Sequence, residues 1–250
     1  MLNILLPIAG RGSRFAEAGY TLPKPLIPLD GKPMIQWVVE NLRPTRPHRF
    51  IFAALREHLE HSDLGEVLGR IAPEATIVPV DGVTEGAACT VLLAKAHLDS
   101  ADPLMIANTD QYVDQPIDGY LEAFDASGAD GFIMTFTADH PKWSYVRFSE
   151  DGRIVEVVEK QVVSNEATVG IYNFRHGSAF VQAAEAMIRK NLRVNGEFYV
   201  APAYNELIAQ GSRLGIYNID RQGAGMHGLG TPEDLNRFLA SPLFKTLGGR

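Results

Sequence analysis

The chain has 250 residues, 46% of them hydrophobic, and a formal charge of −7 with acids and bases mixed along its length. That is enough apolar material for one sizeable core, with no basic run suited to nucleic acid and no charged tail. Cys89 is the only cysteine, which excludes an intramolecular disulfide and a cysteine-based zinc site.

The opening apolar run, residues 1–8, has no basic region before it and no cleavage-like site after it, so it reads as a strand and not as a signal peptide. No apolar stretch approaches membrane-spanning length, and a cytoplasmic protein is the expectation. Residues 2–9 are continuously apolar, the pattern of a strand buried on both faces. Residues 33–42 predict a helix, with Pro33 in the first turn and Met34, Trp37, Val38 and Leu42 on one stripe. Strands are expected at 49–55, 76–80 and 103–107, with helical segments between them, the clearest at 87–97. This alternation predicts an α/β fold with a mostly parallel sheet covered by helices. From Gly131 the pattern changes to short strands at 131–137, 145–149 and 154–159, with a turn at 150–152, an antiparallel excursion. A strand at 169–174, a helix at 178–190 and a strand at 214–219 follow. Thr231, Pro232 and Asp234 then open the last helix as N-cap, first-turn proline and third-position acid.

The stretch LPIAGRGSRF, residues 6–15, places a glycine loop between a strand and a helix, a usual place for phosphates. A dinucleotide fingerprint fails, because Phe15 stands where the third glycine belongs and the ribose-binding acid is missing. No P-loop pattern occurs anywhere. A bare G-x-G is most often only a tight turn. Here Arg14 follows the glycines, and Lys24 stands ten residues later, within the segment PKPLIPLDGKPM.

That composite motif resembles the nucleotidylyltransferase family that makes sugar nucleotides and related activated compounds. Gly10, Gly12, Arg14, Lys24 and Pro25 match it in order and spacing. The resemblance continues through TEGAACTVL (84–92), LMIANTDQYVD (104–114), VVEKQ (157–161), ATVGIYNF (167–174), NGEFYVAPAYNELI (195–208) and GLGTPEDL (228–235). HPKWSYV (140–146) resembles a subgroup linked to capsule and cell-surface polysaccharides.

The resemblance implies a three-layer, Rossmann-like mixed sheet of the nucleotide-diphospho-sugar transferase type. It implies a single domain over 1–250, with 1–130 mainly binding nucleotide and 131–250 mainly binding acceptor. The family reaction joins a nucleoside triphosphate to a small phosphorylated acceptor, such as a sugar 1-phosphate, and releases pyrophosphate. The acceptor phosphate, with a second pKa of about 6, is already a nucleophile near neutrality. No Ser/His/Asp or Cys/His set is needed, and none stands out. By the resemblance, Arg14 binds the triphosphate and Lys24 lies near the α-phosphate. The nucleotide would be met by Ile8, Ala9, Gly10, Arg11, Gly12, Ser13, Asp81, Thr84, Gly86, Ala87 and Asn108. Lys160 would bind the acceptor phosphate, and Glu159, Gly170, Asn195, Glu197 and Tyr199 would line the acceptor pocket. Asp110, ending a buried strand, would hold Mg²⁺. Self-association is common in the family.

Two departures matter. Gln161 stands where proline is usual, and Gly228 replaces the usual second metal-binding aspartate. Its role falls to His227, Asp220 or Asp114, or to phosphates and water alone. At Asp81 a carboxylate would accept from an amino group such as cytosine N4 and could not donate to uracil or thymine O4, which favours CTP and leaves GTP open; a plain turn aspartate is the competing reading. Two other functions compete: a nucleotide-sugar-dependent glycosyltransferase, which often carries D-x-D where this chain has Thr109-Asp110-Gln111, and a non-catalytic nucleotide-sugar-binding relative.

Overall fold

The first apolar run is β1 (Leu2–Ile8). Its alternate residues part to two sides: Leu2, Ile4, Leu6 and Ile8 enter one core and Leu5 the other. That two-sided burial is what a continuous apolar strand requires. The structure, a computed structural model, describes residues 1–247.

After β1 come α1 (Ser13–Glu17), a 3₁₀ turn at Lys24–Leu26, the ribbon β2 (Pro28–Leu29) and β3 (Lys32–Pro33), and α2 (Met34–Leu42). Pro33 is the N-cap of α2 and not its first turn, because it pairs with Pro28 in the ribbon. Then follow β4 (His48–Leu55), α3 (Arg56–His61), α4 (Leu64–Ile71) and β5 (Thr76–Val80). The helix expected over 87–97 is two pieces, α5 (Ala87–Leu92) and α6 (Lys95–Leu98). Leu93 and Ala94 donate to the carbonyls three residues back, which closes α5 early while Val91, Ala94 and Leu98 stay in one core.

Next are β6 (Leu104–Ala107), β7 (Gln111–Val113), α7 (Ile117–Ser127) and β8 (Gly131–Thr137). The antiparallel excursion is β9 (Ser144–Phe148) with β10 (Ile154–Glu159), joined by the turn at Gly152. Strand β11 (Glu166–Phe174) starts three residues earlier than the sequence pattern suggests, because its pairing shifts between Thr168 and Tyr172 around Gly170. The chain then forms α8 (Gly177–Arg189), α9 (Ala203–Ala209), β12 (Leu214–Arg221), β13 (Met226–Gly228), α10 (Pro232–Leu239) and α11 (Pro242–Leu247). The Thr231 hydroxyl accepts from Asp234 N at 3.1 Å, the N-cap its spacing predicts.

The main sheet has nine strands in the order β10-β9-β11-β6-β1-β4-β5, with β8 between β11 and β12. β6, β1, β4 and β5 run parallel, and the antiparallel pairs gather around β11. Helices α2, α4, α7 and α10 cover one face; α5, α8 and α9 cover the other. These are the three layers expected. Outside the sheet, β7 and β13 form a small antiparallel ribbon that pairs Gly228 with Gln111.

The second core is pinned by Tyr204, fully buried, whose hydroxyl lies 2.8 Å from the Asn173 carbonyl and 3.2 Å from that of Phe132. Tyr204→Phe takes the hydroxyl donor from the buried Asn173 carbonyl, while Phe132 O keeps the Tyr120 hydroxyl at 2.8 Å. It should cost about 1–2 kcal/mol and lower the melting temperature by about 2–8 °C, read by thermal denaturation, with turnover at 25 °C unchanged.

Candidate active site

The site lies where the sheet's parallel strands end. Gly12, at φ +63, caps α1 in the left-handed region. An ideal Cβ there would sit 3.1 Å from Lys24 Cβ, so a glycine lets the 9–14 loop pack directly on the lysine. Ile8 and Ala9 are buried, so only their backbones can face a ligand, whereas Gly10, Arg11, Ser13 and Arg14 are exposed. Neither the Arg14 guanidinium nor the Lys24 ammonium makes an ion pair or hydrogen bond among the described residues. Burial pushes the Lys24 pKa down; Asp110 opposes that and Arg14 adds to it.

Beyond β6 the chain turns outward through Asn108 and Asp110. The backbone of Asn108 donates to Gly170 O at 2.8 Å, and its carboxamide would meet a Cβ on Gly170 at 2.6 Å. Asp110 accepts a backbone bond from Leu229 at 2.6 Å, which ties the end of β6 to the turn after β13.

These residues line a cavity of about 580 Å³. Of the expected site residues, Arg14, Ala87, Asn108, Asp110, Glu159, Lys160, Gly170, Glu197 and Tyr199 share it. On its acceptor side, burial raises the Glu159 pKa; a bond from the Ser144 hydroxyl and the nearby Lys160 oppose it, and Glu197 adds to it. Lys160 Nζ donates to the Tyr199 hydroxyl at 2.6 Å and lies 4.8 Å from that ring's centroid.

Several expected residues have other duties. Asp81 is exposed, off this cavity, and accepts from Arg56 Nε at 2.7 Å. The Thr84 hydroxyl is engaged within its own turn, 2.8 Å from Gly86 O and 2.7 Å from the Thr90 hydroxyl. Gly86 has φ +137, and a Cβ there would stand 2.4 Å from Phe198 O, so its nearest neighbour is the backbone of a distant loop. Asn195 does not line the cavity: with Gly196 it makes a tight turn, both at positive φ, between the bridged Val194 and Glu197.

None of the three side chains considered as a second metal ligand lines the cavity. His227 is buried against Phe238, its pKa lowered by burial and opposed by Asp114. Asp220 and Asp114 are exposed elsewhere. The carboxyl group of Asp234 lies directly in front of Gly228: a Cβ on Gly228 would lie 3.1 Å from Asp234 Cγ. Asp234 was legible only as a helix-start acid. Lys142 and Trp143 also line the cavity, with Lys142 Nζ 4.5 Å from the Trp143 ring centroid. Their signal was the HPKWSYV segment, whose individual residues carried no assigned role. Cys89 is half-buried, and burial pushes its thiol up, away from a reactive thiolate.

Unpaired cations beside a strand-end carboxylate, with Lys160 in the same cavity, give this α/β domain a site whose charges suit phosphates. More particularly, the chain belongs to the nucleotidyl transferase family, whose pattern matches residues 3–218. It is 31% identical over 183 residues to a mannose-1-phosphate guanylyltransferase catalytic subunit beta of Danio rerio, covering 69% of this chain and 49% of that protein. It is 26% identical over 215 residues to the bifunctional protein GlmU of Thermotoga maritima, covering 82% of this chain and 44% of that protein. The chain spans about half the length of the curated relatives it matches. Its fold is shared with a nucleoside-diphosphate-sugar pyrophosphorylase from Vibrio cholerae RC9, at a TM-score of 0.75 and 24% identity over 96% of this chain and 99% of that one.

Proposed function

We propose that this protein is a Mg²⁺-dependent nucleotidylyltransferase that joins a nucleoside triphosphate to a small phosphomonoester, with release of pyrophosphate. The observation that carries the reading is Lys24: a half-buried ammonium without an internal partner, beside Arg14 and Asp110. An uncompensated buried cation is costly, and it is retained where a polyanion completes it.

The chemistry needs alignment and charge neutralisation more than a protein nucleophile. Arg14 would grip the β- and γ-phosphates through its fork of donors. Lys24 would stand against the α-phosphate, where charge grows as the acceptor oxygen attacks in line. Asp110 would hold Mg²⁺, which supplies neutralisation of the phosphate oxygens. Lys160, set by Tyr199, would bind the acceptor phosphate on the far side of the cavity.

The acceptor is read as a sugar 1-phosphate or similar phosphomonoester of surface-polysaccharide assembly, on the strength of the HPKWSYV segment, of which Lys142, Trp143 and Ser144 line the cavity. The base is read as one with an exocyclic amine, CTP before GTP, on the sequence position of Asp81, a carboxylate that can only accept; because that carboxylate stands off the cavity in an ion pair with Arg56, the pair would have to open for it to meet a base. A matrix of the four common triphosphates against phosphorylated sugars and small phosphomonoesters, followed by pyrophosphate release with Mg²⁺ present, tests this. Turnover with CTP or GTP and one class of acceptor is the expected result; silence in every well refutes the catalytic reading, and turnover with UTP or TTP alone refutes the base assignment. Lys160→Ala should raise the KM for the acceptor by about tenfold or more and leave the KM for the triphosphate unchanged; steady-state kinetics with each substrate varied separates the two.

A further inference from the structure

We propose that Asp234 is the second carboxylate ligand of the divalent cation, placed there by the absence of a side chain at Gly228. The inference rests on the metal-dependent reading above and specifies its coordination.

Three observations bring donor atoms to one spot. First, an ideal Cβ on Gly228 would lie 3.1 Å from Asp234 Cγ and 3.2 Å from Asp234 Cβ, so the Asp234 side chain occupies the space directly in front of that glycine. Second, two residues further on, a Cβ on Gly230 would lie 3.4 Å from Asp110 Oδ2. Two residues of chain span at most about 7 Å, so the two carboxylates flank one short turn. Both line the same cavity as Arg14 and the acceptor-side Lys160. Third, the ribbon register pairs Gly228 with Gln111. Directly paired residues project to the same face, which puts the Gln111 side chain on the side that Asp234 fills. Gln111 is 4% exposed and lines the cavity, its Nε2 donates to Asn108 O at 2.7 Å, and its Oε1 has no hydrogen-bond partner among the described residues. A buried amide oxygen without a donor, beside two carboxylates, lacks a positive partner.

The remaining contacts of Asp234 orient it and leave it able to ligate. The Thr231 hydroxyl donates to Oδ2 at 2.9 Å and Arg237 Nη1 donates to Oδ1 at 3.2 Å. Each carboxylate oxygen keeps a further lone pair. Such outer partners are the usual means of aiming a ligating carboxylate. Among the described residues no three acidic, histidine or cysteine side chains make a complete cage. Two carboxylates with phosphate oxygens and water in the other positions is the arrangement a hard divalent ion such as Mg²⁺ accepts.

The test is a titration of the nucleotide-free protein with Mn²⁺, following free Mn²⁺ by electron paramagnetic resonance. Asp234→Asn should weaken Mn²⁺ binding by about tenfold or more while keeping an oxygen for the Thr231 hydroxyl. Gly228→Ala, which alters no ligand, should weaken it several-fold by displacing the Asp234 carboxyl group; this variant carries the test if Asp234→Asn misfolds. Placing the carboxylate on the other side of the same space, Gly228→Asp with Asp234→Ser, should restore binding. Wild-type Mn²⁺ affinity in both Asp234→Asn and Gly228→Ala, with loss only in Asp110→Asn, overturns the inference and leaves the metal at Asp110 intact. Saturable binding absent from the wild type, or unchanged in Asp110→Asn, overturns the metal placement altogether.

Discussion

Lys24→Met is expected to lower turnover by about 10²–10³-fold and at the same time raise the melting temperature. The lost rate follows from position: Lys24 does not itself line the cavity, but its ammonium feels the charges of Arg14 and Asp110, which do, and no other side-chain cation among the expected site residues is both half-buried and unpaired. Removing one preorganised charge from a developing oxyanion costs on the order of 10²–10³ in rate, about 3–4 kcal/mol. The gained stability follows from the same burial. Because the Lys24 pKa is lowered in the folded protein, folding disfavours its charged form, and that penalty is present at all pH values below the lowered pKa. It fades as pH rises through that value towards the unfolded 10.5. Methionine keeps the stem's packing and removes the charge, which should stabilise by about 0.5–2 kcal/mol at neutral pH and less in alkali. Thermal melts at pH 7 and above pH 10, with pyrophosphate release at pH 7, measure both halves. A variant that turns over like wild type removes Lys24 from the chemistry, and one that melts lower shows that the ammonium is compensated inside the protein.

Gly86→Ala should be the most damaging glycine-to-alanine change within residues 1–130. Its φ of +137 lies where side chains are strained, and the added carbon would stand 2.4 Å from Phe198 O and 2.5 Å from Phe198 N. That backbone cannot withdraw freely. Phe198 N donates to Glu85 O at 2.8 Å, Ala88 N donates to Phe198 O at 3.0 Å, and Arg193 bonds Glu85 at 2.7 Å while lying 4.1 Å from the Phe198 ring centroid. The clash therefore separates the 84–90 turn from the 193–200 segment, which carries Glu197 and Tyr199 into the cavity. A loss on the order of 3 kcal/mol is expected from strain and broken bonds, a melting temperature lower by about 6–12 °C, and raised KM values for both substrates. A rise for the triphosphate alone would mean that the two segments are independent, contrary to the packing.

Much of the architecture was legible because its signals are local. A two-residue alternation or an unbroken apolar run marks a strand, and a 3.6-residue stripe marks a helix. β1, α2 and the N-cap at Thr231 all declare themselves within a window of ten residues. The break between α5 and α6 did not, since both pieces keep the same apolar stripe and only the i→i−3 bonds at Leu93 and Ala94 divide them. Likewise the β7–β13 ribbon joins two three-residue segments, too short to show a period.

From the chain alone, the glycine loop, Arg14, Lys24 and the strand-end Asp110 are legible as ordered, spaced motifs whose residue types suit phosphate and metal. What those motifs face was settled by the fold. It put Phe198 against Gly86, assigned Asn195 to a turn, paired the exposed Asp81 with Arg56 away from the cavity, and set the carboxyl group of Asp234 in the space left by Gly228. The reason is physical. A motif records contacts between residues a few positions apart, whereas this cavity is assembled where β6, β10, β11 and β13 end, and its occupants are fixed by strand register and by which backbones can approach where a side chain is missing.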